Sequence, residues 1–587
     1  MQWVHESDLI SQAEQDRFLE WLRVKEGSWP SYSEAMSHIN SISSAEVPLD
    51  NVKTLLDLAI RKVVPQPDPT PDSPLKLPGY GLPLGYLPPS TSRFPVLMGI
   101  RKKDWAAKTL LVREVCMLKF MEDITNKPEW WRKVRDEQIS AKWKAEAQRL
   151  DWSQYRRHGD FTRSMAVACM QELRRKAALY EETGLIPVLD YSACVIKSDN
   201  LMPQDLTERL KTEVGLLENV PEDLKDWHPG SEGKVLDLVH PSLWPLLYGR
   251  SRIMRNQRIG LKECLDFCGR GFLVPRPDEA DDASIWDWRS QGVIPSISTK
   301  FQWLPCDVDI DEKGGATISS YINNLHPVKH AELYPVIQSF VEKSLPAWDL
   351  MYRWVKHFPV QRLRAKRVIV KLANIHLTPE KPSYDGGSWH SEGQLNEHIC
   401  ATALYYYDNE NITESRLAFR APANEENLSE SLSYEQDDRL NIERAFAIRS
   451  QYDTLQDVGS VLTRPGRAIF FPNLFQHRVQ PFSLADPSKP GHRKILALFL
   501  VDPAVPVIST ANIPPQQRHW CAAGQAEGGK GTGLPAEVTK LVLDNMDSLI
   551  GEEDAKRFRE ELMKERTVLQ ENMETKLKEV EWSFCEH

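Results

Sequence analysis

The sequence predicts a mixed α+β protein: an antiparallel β sandwich or barrel over residues 301–510, preceded by a large helical region and followed by C-terminal helices. Three observations lead there. Residues 101–180 are rich in Lys, Arg, Glu and Trp and read as helical. From about residue 300, short β-branched and aromatic runs alternate with turn residues. No helix of βαβ length separates the later runs, so the strands are expected to pair antiparallel.

Residues 1–64 read as an acidic helical segment, with Leu55, Leu56, Leu58, Ala59 and Val63 spaced for one helix face. The proline-dense stretch from Val64 to Pro74 forbids helix and opens an extended linker over 65–100. A mainly helical region follows at 101–300, its second half of mixed character. Trp130-Trp131-Arg132-Lys133-Val134-Arg135 interleaves charge with aromatics. Acidic residues are mixed in, which favours a solvated helix face over a Trp-packed core rather than a nucleic-acid surface. Asp307, Asp309 and Asp311 imitate the start of a calcium loop, but Ile318 stands at the twelfth position and argues against calcium. A helix is predicted over 330–348. Strands follow at 368–377, 399–407, 417–420, 460–463, 467–471, 476–480 and 494–501, with Arg464-Pro465-Gly466 as a tight connection. The last region, 511–587, returns to a charged helical pattern at 552–580.

Composition narrows the function classes. The 587 residues carry a net charge of −10, with 41% hydrophobic and 27% charged residues. A sizeable core is available, and a general phosphate-binding surface is disfavoured. The nine cysteines include no C-x-x-C pair, which excludes a zinc ribbon or a thioredoxin-type site. Cys264 and Cys268, four apart in an apolar stretch, are expected on one helix face as reduced core thiols. No basic segment followed by an apolar one opens the chain, and the run Ile495–Val501 is too short to span a bilayer. A cytoplasmic protein with no membrane partner is expected, and the sequons at Asn411 and Asn427 carry little weight.

The candidate chemistry lies at His390, Glu392, His477 and Arg493. Two imidazoles and a carboxylate on one face of a metal suit non-haem Fe(II), with the other face left for a bidentate co-substrate and O₂. Residues i and i+2 of an extended strand point the same way, so His390 and Glu392 can act together, with the third ligand from another strand. Composition alone gives about two His-x-acid matches by chance, and the chain has three: His158/Asp160, His330/Glu332 and His390/Glu392. Only the last sits among strands. His398 competes with His477 as third ligand, but six extended residues from Glu392 place it about 20 Å away. Arg493 heads an apolar strand, where a cation needs a partner. A guanidinium matches a carboxylate fork, here the distal carboxylate of 2-oxoglutarate. Arg478 is its rival, but alternation points it away from His477.

These segments also resemble a family. Lys371-Leu-Ala-Asn-Ile375, Leu377-Thr-Pro-Glu-Lys-Pro382, Gly386-Gly-Ser-Trp-His-Ser-Glu-Gly393, Asn396-Glu-His-Ile399, Ser320-Tyr-Ile-Asn-Asn-Leu-His-Pro327, Pro514-Pro-Gln-Gln517 and Cys585-Glu-His587 are similar to a large, mostly fungal family, domain of unknown function 4246. The resemblance covers roughly 75–587. It implies relation to iron- and 2-oxoglutarate-dependent dioxygenases with a double-stranded β-helix (jelly-roll) core. It implies His390, Glu392 and His477 as metal ligands and Arg493 as the 2-oxoglutarate anchor. Two departures stand out: Glu392 where Asp is commoner, and Ile495 where many relatives carry Ser or Thr, so a second donor to the distal carboxylate must come from elsewhere. The expected activity is oxidation of a small molecule with O₂, without nucleic acid. The same chemistry on a protein or peptide, as a hydroxylase or demethylase, and a non-catalytic jelly-roll binding module are the alternatives. Cys585-Glu586-His587, His519-Trp520-Cys521 and the pair Asn374/His376 are expected to serve packing. One phenol among Tyr405, Tyr406 and Tyr407 should face the cavity.

Overall fold

A computed structural model describes residues 75–97, 105–277, 297–356, 365–426, 439–521 and 549–582, with a few isolated positions besides. The helical segment expected at 1–64, the proline-dense stretch to 74, Asn427 and the Cys585–His587 tail lie outside them. Residues 75–587 form one compact unit.

The fold mixes helices with antiparallel sheets, as the sequence predicts. The helices include α1 (Val112–Ile124), α2 (Glu137–Arg149), α3 (Arg163–Thr183), α4 (Gln204–Glu218), α5 (Leu333–Lys356) and α6 (Glu552–Glu579). The strands that matter for the site are β1 (Ile186–Val188), β2 (Val195–Ser198), β3 (Val235–Val239), β4 (Cys306–Ile310), β5 (Ala316–Ile318), β6 (Ala365–Leu377), β7 (Ile399–Glu410), β8 (Ser415–Pro422), β9 (Leu455–Thr463), β10 (Arg467–Pro472), β11 (Gln476–Val479) and β12 (Gly491–Val501). Nine of them make a large sheet in the order β5-β4-β6-β12-β7-β10-β2-β1, with β3 also on β6. The other three make a small sheet in the order β9-β8-β11. β1, β2 and β3 come from the stretch expected to be mainly helical. They are short and lie between helices, so no periodicity announces them.

The long strands read as continuous apolar runs because both faces of the large sheet are buried. Along β12, Leu496, Leu498 and Leu500 face a core that includes Val336, Ile337, Phe340 and Val341 of α5. Ala497, Phe499 and Val501 face the other way, into a core shared with Leu417 and Phe419 of the small sheet. Residues of one strand therefore alternate between two cores, as the two-residue period requires. The same parity governs β6 and β7. Ile369 and Tyr406 face the space between the sheets, while Val368, Tyr405 and Tyr407 face α5.

The Trp-rich segment packs as expected. Trp130 is buried, and Trp130 and Trp131 lie 5.8 and 4.8 Å from the Tyr180 ring. Asp307 sits buried in β4 and pairs with Arg258 and Arg367, so it is an ion-pair residue. Cys264 and Cys268 do not share an α-helical face. They bracket a short 3-10 turn, because the segment closes after a single turn, and both are free thiols. Among the described residues no helix is long and apolar enough to cross a membrane.

Candidate functional site

His390 and His477 meet through their backbones. Each donates its N–H to the other's carbonyl, at 3.1 and 2.9 Å, which makes an antiparallel bridge beside β11. The two imidazoles come within 4.3 Å, ring centre to ring centre. Glu392 lies in the bend after His390, so the pair does not share the extended strand expected: His390 makes a single bridge and the chain then bends toward Gly393. Its Oε1 is 3.8 Å from His390 Nε2 and 3.4 Å from His477 Nε2. One ligand atom from each of the three lies within 4.8 Å of the others. Burial and the neighbouring His477 push the His390 imidazole down to about 4. Burial alone would raise the Glu392 carboxyl, but His477 and His390 outweigh it and hold it at about 2. The group therefore offers neutral imidazole beside carboxylate, the protonation state a metal needs.

Local structure aims these side chains. The Ser388 carbonyl accepts from His390 Nδ1 at 2.9 Å, which leaves the Nε2 lone pair toward Glu392. Gly386, at φ +91°, runs so close to the next strand that a Cβ would lie 2.7 Å from the Val479 carbonyl. Gly393, at φ +72°, turns the chain after Glu392, and a Cβ there would meet Ile399 and the Glu397 carboxylate, each at 2.7 Å. The chain thus does turn before His398, contrary to the extended spacing expected. His398 is nevertheless in neither candidate metal group; it is buried, and its backbone carbonyl accepts from the Asp502 N–H at 2.7 Å.

Arg493 shares the parity of Ile495 and Ala497 on β12, so it faces the space between the sheets. It is buried, donates to Ser415 Oγ at 2.8 Å, and lies 5.2 Å from the Tyr406 ring and 5.3 Å from the Phe482 ring. Its Nε has no partner. Arg478 is exposed and stacks over Trp389 at 4.6 Å, as alternation requires. Of the three tyrosines, Tyr405 bonds Thr207 and Tyr407 bonds Asn374, both on the α5 side. Tyr406 is the inward one, its hydroxyl buried and without a partner.

Residues 163–367 and 356–524 match the family profile described as "Protein of unknown function (DUF4246)", and residues 77–146 match "Domain of unknown function DUF4246, N-terminal". The chain belongs to the DUF4246 family. No curated protein matches it. Among solved structures it is similar, at 11% identity and a TM-score of 0.23, to "IDO" from Bacillus thuringiensis, over 56% of this chain and 93% of that one. A bsmA homolog from Methylobium petroleophilum gives 9%, 0.25, 57% and 94%. The "Fe(II)/(alpha)ketoglutarate-dependent dioxygenase TqaL" gives 12%, 0.18, 35% and 67%. Likenesses this faint leave the site of this DUF4246 chain to stand on its own geometry.

Two features of that site carry no sequence pattern. Asn473, in the turn after β10, accepts the Glu392 N–H at 2.7 Å and donates to the carbonyls of Glu392 and Ile399 at 2.8 and 2.9 Å. The second is a further His/Asp/His group, His228, Asp237 and His240, with ligand atoms again within 4.8 Å. Its hydrogen bonding does not suit a metal. Asp237 takes His228 Nδ1 at 2.7 Å, and the Arg559 guanidinium stands 3.8 Å from the same oxygen. His240 Nδ1 accepts the Ser242 N–H at 3.2 Å, so the neutral ring carries its proton on Nε2 and has no lone pair to give there. Burial holds His240 well below the usual imidazole range, so the ring is neutral.

Proposed function

We propose that the protein is a non-haem iron oxygenase that uses 2-oxoglutarate as co-substrate and oxidises a small molecule, on a double-stranded β-helix core. Support for the core is the strand order. β6-β12-β7-β10 in one sheet and β11-β8-β9 in the other, with the His390 bridge beside β11, is the arrangement two interleaved Greek keys give. The observation that carries the function is the convergence of His390, Glu392 and His477 with a buried arginine on the same inner surface.

Two imidazole nitrogens and one carboxylate oxygen fit a divalent transition ion, and Fe(II) is the ion such a set takes in oxygenases. Bound there, it would supply one-electron chemistry with O₂. The chain's own residues do the rest. Ser388 fixes the His390 tautomer, and Asn473 holds the backbone that presents Glu392. Arg493 forks the distal carboxylate of 2-oxoglutarate, steadied by Ser415 and the rings of Tyr406 and Phe482. The Tyr406 hydroxyl is the second donor that Ile495 cannot supply. Phe419 and Phe471, whose rings lie 6.4 and 4.6 Å from His477, keep water from that side.

The test is an assay for succinate with Fe(II), ascorbate and 2-oxoglutarate, with and without a pool of small-molecule extracts. Turnover is expected. Its absence, together with absence of Fe(II) binding, contradicts the reading. Arg493→Ala should weaken 2-oxoglutarate binding at least tenfold and spare the metal. Equal loss of both would remove Arg493 from its role.

A further inference from the structure

The large sheet, facing the metal group across the space between the sheets, presents a second cation. Lys371 lies on β6, between Ile369 and Ala373, and its strand partner on β12 is Ala497. Its parity is that of Ile369, which faces the space between the sheets. Ala373 beside it and Ala497 opposite are small, while Ile369, Phe499 and Ile495 stand on the same face a pair further along. Lys371 is half-buried, and no carboxylate lies within salt-bridge distance of it among the described residues. It acts electrostatically on His390 and Glu392, and also on Asp237 and His240. Lys371 is therefore within electrostatic reach of both the metal group and the His228–Asp237–His240 group.

The second group meets Lys371 with an unused acceptor. Asp237 is opposite Ala373 across the β3–β6 pairing, two residues along β6 from Lys371, next to a β-bulge at Leu372/Ala373. One Asp237 oxygen is held by His228. The other, Oδ1, is buried without a partner. A half-buried cation and a buried acceptor, both unpartnered on one floor, are complementary to a ligand and costly without one. Arg493 is four residues from Ala497 along β12, about 14 Å of extended strand, so the two cations serve different anionic groups.

Resting on the oxygenase reading, we propose that Lys371 anchors a carboxylate of the primary substrate and that Asp237 Oδ1 accepts a hydrogen bond from a donor next to that carboxylate. The substrate class is then a small acid bearing a hydroxyl or ammonium group close to its carboxylate. The hydrogen bonds from His228 and the nearby Arg559 keep the Asp237 carboxylate in place.

The experiment uses the full chain loaded with Mn(II) and 2-oxoglutarate, which binds without turnover. A panel of 2-hydroxy acids and 2-amino acids, the plain acids, and the matching alcohols and amines is titrated by calorimetry. Acids with the neighbouring donor are expected to bind best. Lys371→Met should lose at least tenfold in acid affinity, Lys371→Arg should keep most of it, and both should bind 2-oxoglutarate within twofold of the parent. Asp237→Asn should erase the preference for hydroxy or amino acids over plain acids. Alcohols and amines binding as well as acids, no acid binding the parent, or Lys371→Met retaining acid affinity would each overturn the proposal. So would loss of 2-oxoglutarate in Lys371→Met, because the lysine would then be a co-substrate anchor. If the parent binds neither Mn(II) nor 2-oxoglutarate, the oxygenase reading fails, and acid titration of the metal-free chain against Lys371→Gln still decides the subsite.

Discussion

Asn473 does for Glu392 what the Ser388 carbonyl does for His390: it fixes the ligand from behind. Three hydrogen bonds depend on its amide. Asn473→Ala is predicted to lower metal affinity by about 10–100-fold, the usual cost of losing such support. Metal titration checks it, and unchanged affinity would free Asn473 of the role. The proposed ligands are singled out in the sequence because the chemistry proposed for them demands a short His-x-acid spacing and a later His from another strand. Asn473 is not, since an asparagine in a turn looks like any other turn residue. His228 and Asp237 are likewise hidden. They are nine residues apart in a segment without periodicity, and only the turn before β3 brings them to 2.7 Å.

At the scale of elements, α1 is pinned to both sheets by one buried carboxylate. Glu122 meets Lys197 of β2 at 3.3 Å and Arg416 of β8 at 3.0 Å, and accepts from Asn126 at 2.7 Å. Burial would raise its carboxyl, but Lys197 and Arg416 hold it at about 2, against an ordinary 4.5. Burial pushes the Lys197 ammonium down to about 7, so both partners are charged at pH 6. A depressed carboxyl contributes stability above its ordinary pKa, and that contribution fades as pH falls from about 4.5 to 2. Glu122→Gln leaves buried Lys197 without its carboxylate, while Arg416 keeps the exposed Glu414, and should cost about 3–5 kcal/mol at pH 6. The gap to the parent should close toward pH 2. Urea unfolding across that range measures it, and a pH-independent gap would contradict the assignment.

The C-terminal helix α6 shows the limit of reading elements from sequence. Its charged pattern suggests an outer helix, and the helix is where it was expected. What the pattern hides is that one stripe meets the segment carrying the ligands. Gln570 donates to the Ser391 carbonyl at 2.9 Å, Arg566 pairs with buried Glu397 and stacks over Trp303 at 3.7 Å, and Arg559 reaches Asp226 at 2.5 Å. Long charged side chains can cover a site while reading as solvated. Arg566→Ala leaves the buried Glu397 carboxylate without its cation, held only by the Trp303 and Gln394 N–H groups, and should cost about 3–5 kcal/mol, read as a lower urea midpoint. A loss under 1 kcal/mol would make α6 a passive cover.

At the scale of the molecule, the strands after residue 300 were legible in the sequence and those before it were not. β6, β7 and β12 announce themselves because burial on both faces forces long apolar, β-branched runs. The short strands β1, β2 and β3 do not, yet β3 carries Asp237 to the inner face of the large sheet. The account stands on three side chains from two stretches of chain holding one ion between the sheets. Metal stoichiometry tests it most directly: the full chain, freed of metal, is titrated anaerobically with Fe(II) beside His390→Ala, His477→Ala and His240→Ala. One equivalent is predicted for the parent and for His240→Ala, and none for the other two. An ion that persists in His477→Ala, or one lost only with His240, would contradict it.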